Sequence, residues 1–148
     1  MKLSTKGRYA VMAMADLAKN GRADGVQRAV SLAEIAARQE ISLAYLEQLF
    51  ARLRRKGLVE SVRGPGGGYR LARAACETSV AEVVHAVDEP MRTTRCLKAE
   101  QGCLQGGARC QTHALWDEMG RQIEDYLASV SLEDVAKGRV RPAAAEAA

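Results

Sequence analysis

The chain is poor in aromatic side chains, with one Trp, one Phe and four Tyr among 148 residues. Proteins that hold single-stranded nucleic acid stack its bases on aromatic platforms, so this scarcity disfavours a single strand and favours a duplex target. Long apolar runs are also missing. None approaches the roughly 18 residues of a membrane span, and Met1-Lys2-Leu3-Ser4-Thr5-Lys6 leads into no signal-peptide core, so the expectation is a cytoplasmic protein with no membrane partner. No phosphate-binding glycine motif precedes a helix, no nucleophile elbow is present and no acid is paired with a base, which argues against an enzyme. Cysteine is limited to four residues, and in a reducing compartment these are ligands, reactive thiols or small buried residues rather than a disulfide framework.

Acidic charge is scarce in one half only. Residues 1–75 carry 14 Lys+Arg against 6 Asp+Glu, whereas residues 76–148 carry 8 against 12. The first half therefore suits a polyanion and the second does not. The length and the 47% hydrophobic content fit one globular domain, or a small domain with an appendage.

Within the basic half, the stretch from Ile41 to Lys56 has the pattern of a helix. Ser42 is an N-cap residue, Ile41 and Leu46 stand at the positions of a hydrophobic staple, and Leu46, Leu49, Phe50 and Leu53 recur at spacings of three and four. The outer face carries Ala44, Glu47, Gln48, Ala51, Arg52 and Arg55. It reads either as an ordinary solvated face or as a surface for a major groove, offering small residues, hydrogen-bonding ends and cations together. Two short strands follow, 58–63 and 69–71, joined by Gly64-Pro65-Gly66-Gly67-Gly68. This is the outline of a β-wing, with Arg63 at its base and the bare backbone of Gly66 and Gly67 suited to a phosphate or a minor groove.

Before that helix, Ser31-Leu32-Ala33-Glu34 is a capping box that opens a short helix ending near Gln39, and Val30 with Ile35 repeats the staple. Two helices so spaced predict a helix-turn-helix at about 32–55 with a wing at about 58–71. An earlier helix is expected over 4–19, with Ser4 as cap, Tyr9, Met12, Ala13, Asp16 and Leu17 on one face, and Gly21 ending it. Lys2, Lys6 and Arg8 at its start read as solvated charges or as neighbours of a phosphate. Residues 20–29 read as a polar loop.

Downstream, Ser79-Val80-Ala81-Glu82 is another capping box, and Val80, Val83, Val84 and Val87 form a stripe ended by Asp88-Glu89-Pro90. His85 falls opposite the stripe and reads as solvent-facing. Residues 91–111 lose all periodicity, a length unusual in a compact domain unless a ligand organises it. From Thr112 a long helix is predicted, with Leu115, Trp116, Met119, Ile123, Tyr126, Leu127 and Val130 along one side. That stripe needs a partner surface, in part the first domain and in part a second copy related by a two-fold axis. Ser131-Leu132-Glu133-Asp134 caps a final short helix, and 139–148 reads as a flexible tail.

Cys96, Cys103 and Cys110 are spaced C-x6-C-x6-C, with His113 two residues beyond Cys110. Three thiolates and an imidazole can hold an iron-sulfur cluster or zinc, although structural zinc usually takes two close ligand pairs and only Cys110 and His113 are close here. Three thiols without metal remain the third possibility. Cys110 and His113 stand at the start of the long helix, where the helix dipole favours an anionic ligand. Cys76 has no ligand types near it in sequence and reads as a packing residue.

Four segments together resemble a known family: Lys2-Leu3-Ser4-Thr5-Lys6-Gly7-Arg8-Tyr9-Ala10-Val11, Ile41-Ser42-Leu43-Ala44-Tyr45-Leu46-Glu47-Gln48-Leu49-Phe50, Val62-Arg63-Gly64-Pro65-Gly66-Gly67-Gly68-Tyr69 and Thr112-His113-Ala114-Leu115-Trp116. Over about 2–138 the chain is similar to the Rrf-two family of winged-helix regulators, in the branch that controls iron-sulfur cluster assembly. The resemblance implies a mostly α fold: a winged helix-turn-helix DNA-binding domain at 1–75, then a cluster-binding loop and long dimerisation helix at 76–138. It implies a homodimer that binds double-stranded DNA and a 2Fe-2S cluster delivered by the assembly machinery, held by Cys96, Cys103, Cys110 and His113. The clustered form would repress the assembly genes and the cluster-free form would act at a second promoter class. The resemblance makes Glu47 the residue that discriminates the two classes of site, and Ser42, Tyr45, Gln48 and Arg63 contact positions. Arg52, Arg55, Gly66 and Gly67 complete the expected DNA-facing set. Two differences stand out: six residues separate successive cysteines where the family has five, and Ala44 stands where a hydroxyl residue is expected.

Overall fold

The computed structural model describes residues 3–87, 93 and 102–141. Helix α1 (Thr5–Asn20) is capped by Ser4, whose hydroxyl accepts the amide of Gly7 at 3.1 Å, and is closed by Gly21. It is the central strut of the molecule. Ala10, Ala13, Met14 and Leu17 are buried, so the inward methionine is Met14 and the expected Met12 faces outward. The reason is geometric: Met14 lies one helical turn from Ala10 and Leu17, and Met12 does not.

Residues 20–29 are not a loop throughout. Arg22–Ala23 (β1) and Val26–Gln27 (β2) pair antiparallel across Asp24 and Gly25, both at positive φ. An Asp-Gly pair is the strongest short hairpin signal, but strands of two residues are too short to show alternation.

Helix α2 (Leu32–Gln39) has the complete Ser31/Glu34 capping box, and helix α3 (Leu43–Arg55) starts at Ser42, whose hydroxyl accepts the amide of Tyr45. Between them Glu40 adopts the left-handed conformation that ends α2, which turns the chain tightly enough to make the helix-turn-helix. Leu46, Leu49, Phe50 and Leu53 are all buried, as the stripe requires. Strands β3 (Val59–Val62) and β4 (Gly68–Leu71) form the wing.

The wing is anchored to the residue before α2. Val30 and Tyr69 exchange backbone hydrogen bonds at 2.8 and 2.9 Å, and the Tyr69 ring meets Phe50 edge-on at 5.0 Å. Gly68 is required there: its φ is +154°, and a Cβ on it would run into the carbonyl of Val30.

A 3₁₀ turn (Ala75–Glu77) leads to α4 (Val80–Val87), whose Ser79/Glu82 capping box is formed. Val80, Val83, Val84 and Val87 are buried, and so are Ala81 and Ala86, which leaves little of α4 outside the core. Where that helix ends relative to Asp88-Glu89-Pro90 lies outside the described residues. Helix α5 (His113–Ser129) is followed by α6 (Leu132–Ala136), capped by Ser131 and Asp134. The starts of α4 and α6 are stitched together, the Val80 amide donating to Val130 and the Leu132 amide to Thr78, each at 2.9 Å. Val83, Ala86, Val87 and Leu132 share one core with α1 and α3.

Candidate DNA-reading face and cysteine site

Burial of the Leu46 stripe leaves Ser42, Ala44, Glu47, Gln48, Ala51, Arg52 and Arg55 exposed on α3. Tyr45 is half-buried, its ring held edge-on against Tyr9 at 5.9 Å. No ion pair neutralises Glu47 among the described residues. A carboxylate on an otherwise basic face accepts from the amino group of cytosine and repels phosphates, so it adds sequence discrimination at the cost of general affinity.

The two arginines of this face differ. The Nε of Arg55 donates to its own helix, to Ala51 at 3.3 Å, whereas the Nη1 of Arg52 donates across the fold to the carbonyl of Val87 at 3.0 Å. Arg63 is exposed at the foot of the wing, and Arg70 pairs with Glu60 across the strands at 2.9 Å. At the wing tip Gly64 and Gly66 have positive φ, and Gly67 sits against the carbonyls of Val62 and Gly64 with no room for a Cβ. The tip is thus a tight turn of backbone with no side-chain bulk after Pro65.

The first helix of the motif is fixed to α1 by Asp16. Its buried carboxylate accepts from Arg38 Nη2 at 2.8 Å, from Gln39 Nε2 at 2.8 Å and from Asn20 Nδ2 at 3.3 Å. Burial pushes the Asp16 carboxyl up, but these donors and the guanidinium charge outweigh it and hold the group below the usual carboxylate range. Sequence reading placed Asp16 on the inner face but supplied no partner.

At the other end of the molecule, Cys103 is brought to His113 at the N-terminus of α5, and Cys110 lies in the chain just before that helix. The Cys103 Sγ stands 3.1 Å from His113 Nδ1. Cys110 is half-buried, its carbonyl accepts the amide of His113 at 3.1 Å, and its Sγ lies 3.6 Å from Thr112 Oγ1. Cys96 lies outside the described residues. Two ligands on one tetrahedral ion stand about 3.6 Å apart, given bonds of about 2.3 Å to sulfur and 2.1 Å to nitrogen. Cys103 and His113 form a pair of soft donors, and among the described residues no group of three or more His, Cys, Asp or Glu stands together to hold a metal ion. The soft donors match iron-sulfur and zinc chemistry alike.

The turn that carries Cys103 is itself closed by Leu104 donating to Ala108 and Gly107 donating to Leu104. Thr93, also described, rests on α5: its hydroxyl donates to the Trp116 carbonyl, and its side chain fills the notch left by Gly120, where a Cβ would collide with it.

Cys76 is exposed rather than packed. It sits on the 3₁₀ turn and lines a groove of about 610 Å³ between α1, the wing's end and α6. A 3₁₀ turn at the surface gives a small side chain no interior to enter. His85 is exposed as expected, but its Nε2 meets Glu124 of α5 at 2.9 Å. The stripe on α5 divides. Tyr126 and Leu127 pack on Val80, Val84 and Val130, whereas Leu115 and Trp116 are 59% and 40% exposed.

The family described as Rrf2, iron-dependent transcriptional regulator, matches residues 3–138. The HTH-type transcriptional regulator IscR of Xenorhabdus nematophila is 54% identical over 139 residues, covering 94% of this chain and 81% of that protein. Among solved structures, T. potens IscR superposes with a TM-score of 0.74 at 39% identity, covering 93% of this chain and 88% of the other. CymR, the global cysteine regulator of B. subtilis, superposes with a TM-score of 0.76 at 32% identity, covering 93% and 98%. These relatives are transcriptional regulators, a class without enzymatic activity. No helix among the described residues is long and apolar enough to cross a membrane.

Proposed function

Because the chain belongs to the Rrf2 family of transcriptional regulators, a winged-helix DNA-binding class, we propose that its DNA occupancy is set by a 2Fe-2S cluster held by Cys96, Cys103, Cys110 and His113. The observation that carries this reading is the convergence of Cys103 Sγ and His113 Nδ1 to 3.1 Å at the N-terminus of α5. When bound, the cluster supplies a link that is labile to oxygen and dependent on iron and sulfide supply. The chain's own residues do the rest. The turn closed by Leu104 and Ala108 presents Cys103, α5 presents His113, and Thr93 donates to the Trp116 carbonyl of α5.

The working unit is a cytoplasmic homodimer. The exposed Leu115 and Trp116 lie three residues or fewer from His113, so a second copy packing on this face places its contact beside the ligands. A two-fold pair presents two copies of α3 to successive turns of a duplex, with Ser42, Tyr45, Glu47 and Gln48 toward base edges and Arg55, Arg63 and the Gly66-Gly67 backbone toward phosphates. The clustered form represses genes for iron-sulfur assembly, whose machinery is the cluster donor, and the cluster-free form acts at other promoters.

Anaerobic purification with iron, labile sulfide, zinc and visible absorbance measured on the same sample tests the reading. Iron and sulfide in equal amounts with a coloured spectrum support it. Zinc in their place makes the site structural, and colourless, metal-free protein whose DNA affinity follows oxidant makes it a thiol switch.

A further inference from the structure

Arg52 lies on the exposed side of α3, among the cations the sequence assigns to the duplex, but its guanidinium is already engaged. Its Nη1 donates to Val87 at 3.0 Å, a residue 35 positions away. Val87 is the last described residue of α4, and its side chain is buried in the core that α1 and α3 share. The bond joins two elements: it starts on the reading helix and ends on a helix that shares one core with α1 and α3.

We propose that Arg52 is a positioning residue: it ties the C-terminal half of α3 to the end of α4, so that whatever holds the chain beyond Val87 sets how α3 is presented to a duplex. This rests on the proposed function above and deepens it, because Cys96 follows Val87 in the chain with no predicted helix or strand between them. A phosphate contact and a tether leave different traces. A cation that displaces counterions from DNA contributes to the salt dependence of binding, and its loss lowers the slope of log K against log salt by about one. A tether contributes nothing to that slope but alters the geometry on which base readout depends.

The experiment compares wild type, Arg52→Gln, Arg52→Lys and Arg55→Gln as full-length chains. The probes are a duplex enriched by the wild-type chain from a randomised pool and an unrelated duplex of equal length, titrated across potassium chloride concentration. Amide hydrogen exchange is measured in the absence of DNA. Arg55→Gln is expected to lower the slope by about one. Arg52→Gln is expected to keep the wild-type slope, to lose about tenfold in preference for the enriched duplex, and to exchange faster in the last turn of α4 and the end of α3. Arg52→Lys, which keeps the charge but lacks the guanidinium's reach, is expected to behave as Arg52→Gln.

A slope lowered by about one in Arg52→Gln with unaltered exchange overturns the proposal and returns Arg52 to the phosphate contacts. Faster exchange with an unaltered preference also overturns it, leaving a bond of structural value only. Should the wild type enrich no duplex, DNA reading at this face has failed, and unaltered exchange in both Arg52 variants would still reject the tether on its own terms.

Discussion

The Asp16 carboxylate on α1 and the Arg38 guanidinium on α2 stand 2.8 Å apart, the acid buried and the base 36% exposed. Through this pair and Gln39 the first helix of the helix-turn-helix is held to the central strut of the molecule. Replacing Asp16 by Asn leaves Arg38 without its counter-charge. We expect a loss of about 2 kcal/mol, below the roughly 3–5 kcal/mol of a fully buried pair because Arg38 reaches water, read as a lower midpoint in urea unfolding. The carboxyl is depressed in the folded state, so its contribution is complete above the ordinary Asp range and is lost as pH falls through that range to the depressed value. Stability of the wild type should therefore decline on acidification more steeply than that of Asp16→Asn. Parallel pH profiles for the two would show that the pair contributes nothing to stability.

Cys103 and His113 meet directly, so each should be needed for the colour of anaerobically purified protein. Cys103→Ala and His113→Ala are expected to lose visible absorbance while keeping the helical circular dichroism of the wild type, because neither side chain belongs to the main core. An iron-sulfur spectrum retained in Cys103→Ala would remove that residue from the ligand set.

Glu47 carries the only negative charge on α3. In the cluster-free protein, Glu47→Ala should raise affinity for duplexes that lack a suitably placed cytosine, narrowing the ratio between two classes of site by about 1–3 kcal/mol, the worth of one base contact. Competition binding with both duplexes gives that ratio, and an unaltered value would refute the role.

Leu115 and Trp116 expose apolar surface on a helix that has no fully buried residue of its own. A double change to Glu at these positions should convert the proposed dimer to a monomer of about 16.0 kDa in light scattering. It should also weaken operator binding severely, since two half-sites would have to be filled independently. Wild-type protein that is already monomeric at micromolar concentration would rule out this interface.

Gly120 is open on the side where Thr93 rests. Alanine is the better helix former by about 1 kcal/mol, so Gly120→Ala alone would be expected to stabilise α5 were nothing beside it. Here the new methyl displaces Thr93, and the expected outcome is faster cluster loss in air. Equal lifetimes for wild type and Gly120→Ala would show that the notch does not restrain the cysteine segment.

Local sequence was sufficient wherever the deciding interaction lies within about four residues. The caps at Ser4, Ser31, Ser42, Ser79 and Ser131 are hydrogen bonds between a hydroxyl and an amide three positions on, and each forms where the sequence places it. The buried stripe of α3 follows likewise from spacing alone, and with it the outward set from Glu47 to Arg55. Tertiary packing decided what spacing leaves degenerate or cannot reach. Met14 rather than Met12 enters the core because α4 and α6 lie on that side of α1, and Cys76 is exposed because a surface 3₁₀ turn carries it. The pairs Asp16–Arg38 and Arg52–Val87 join elements whose approach is set by burial of apolar faces elsewhere. A polar bond across such a gap forms only after that packing has fixed its ends, and nothing in the residues' own neighbourhoods announces it.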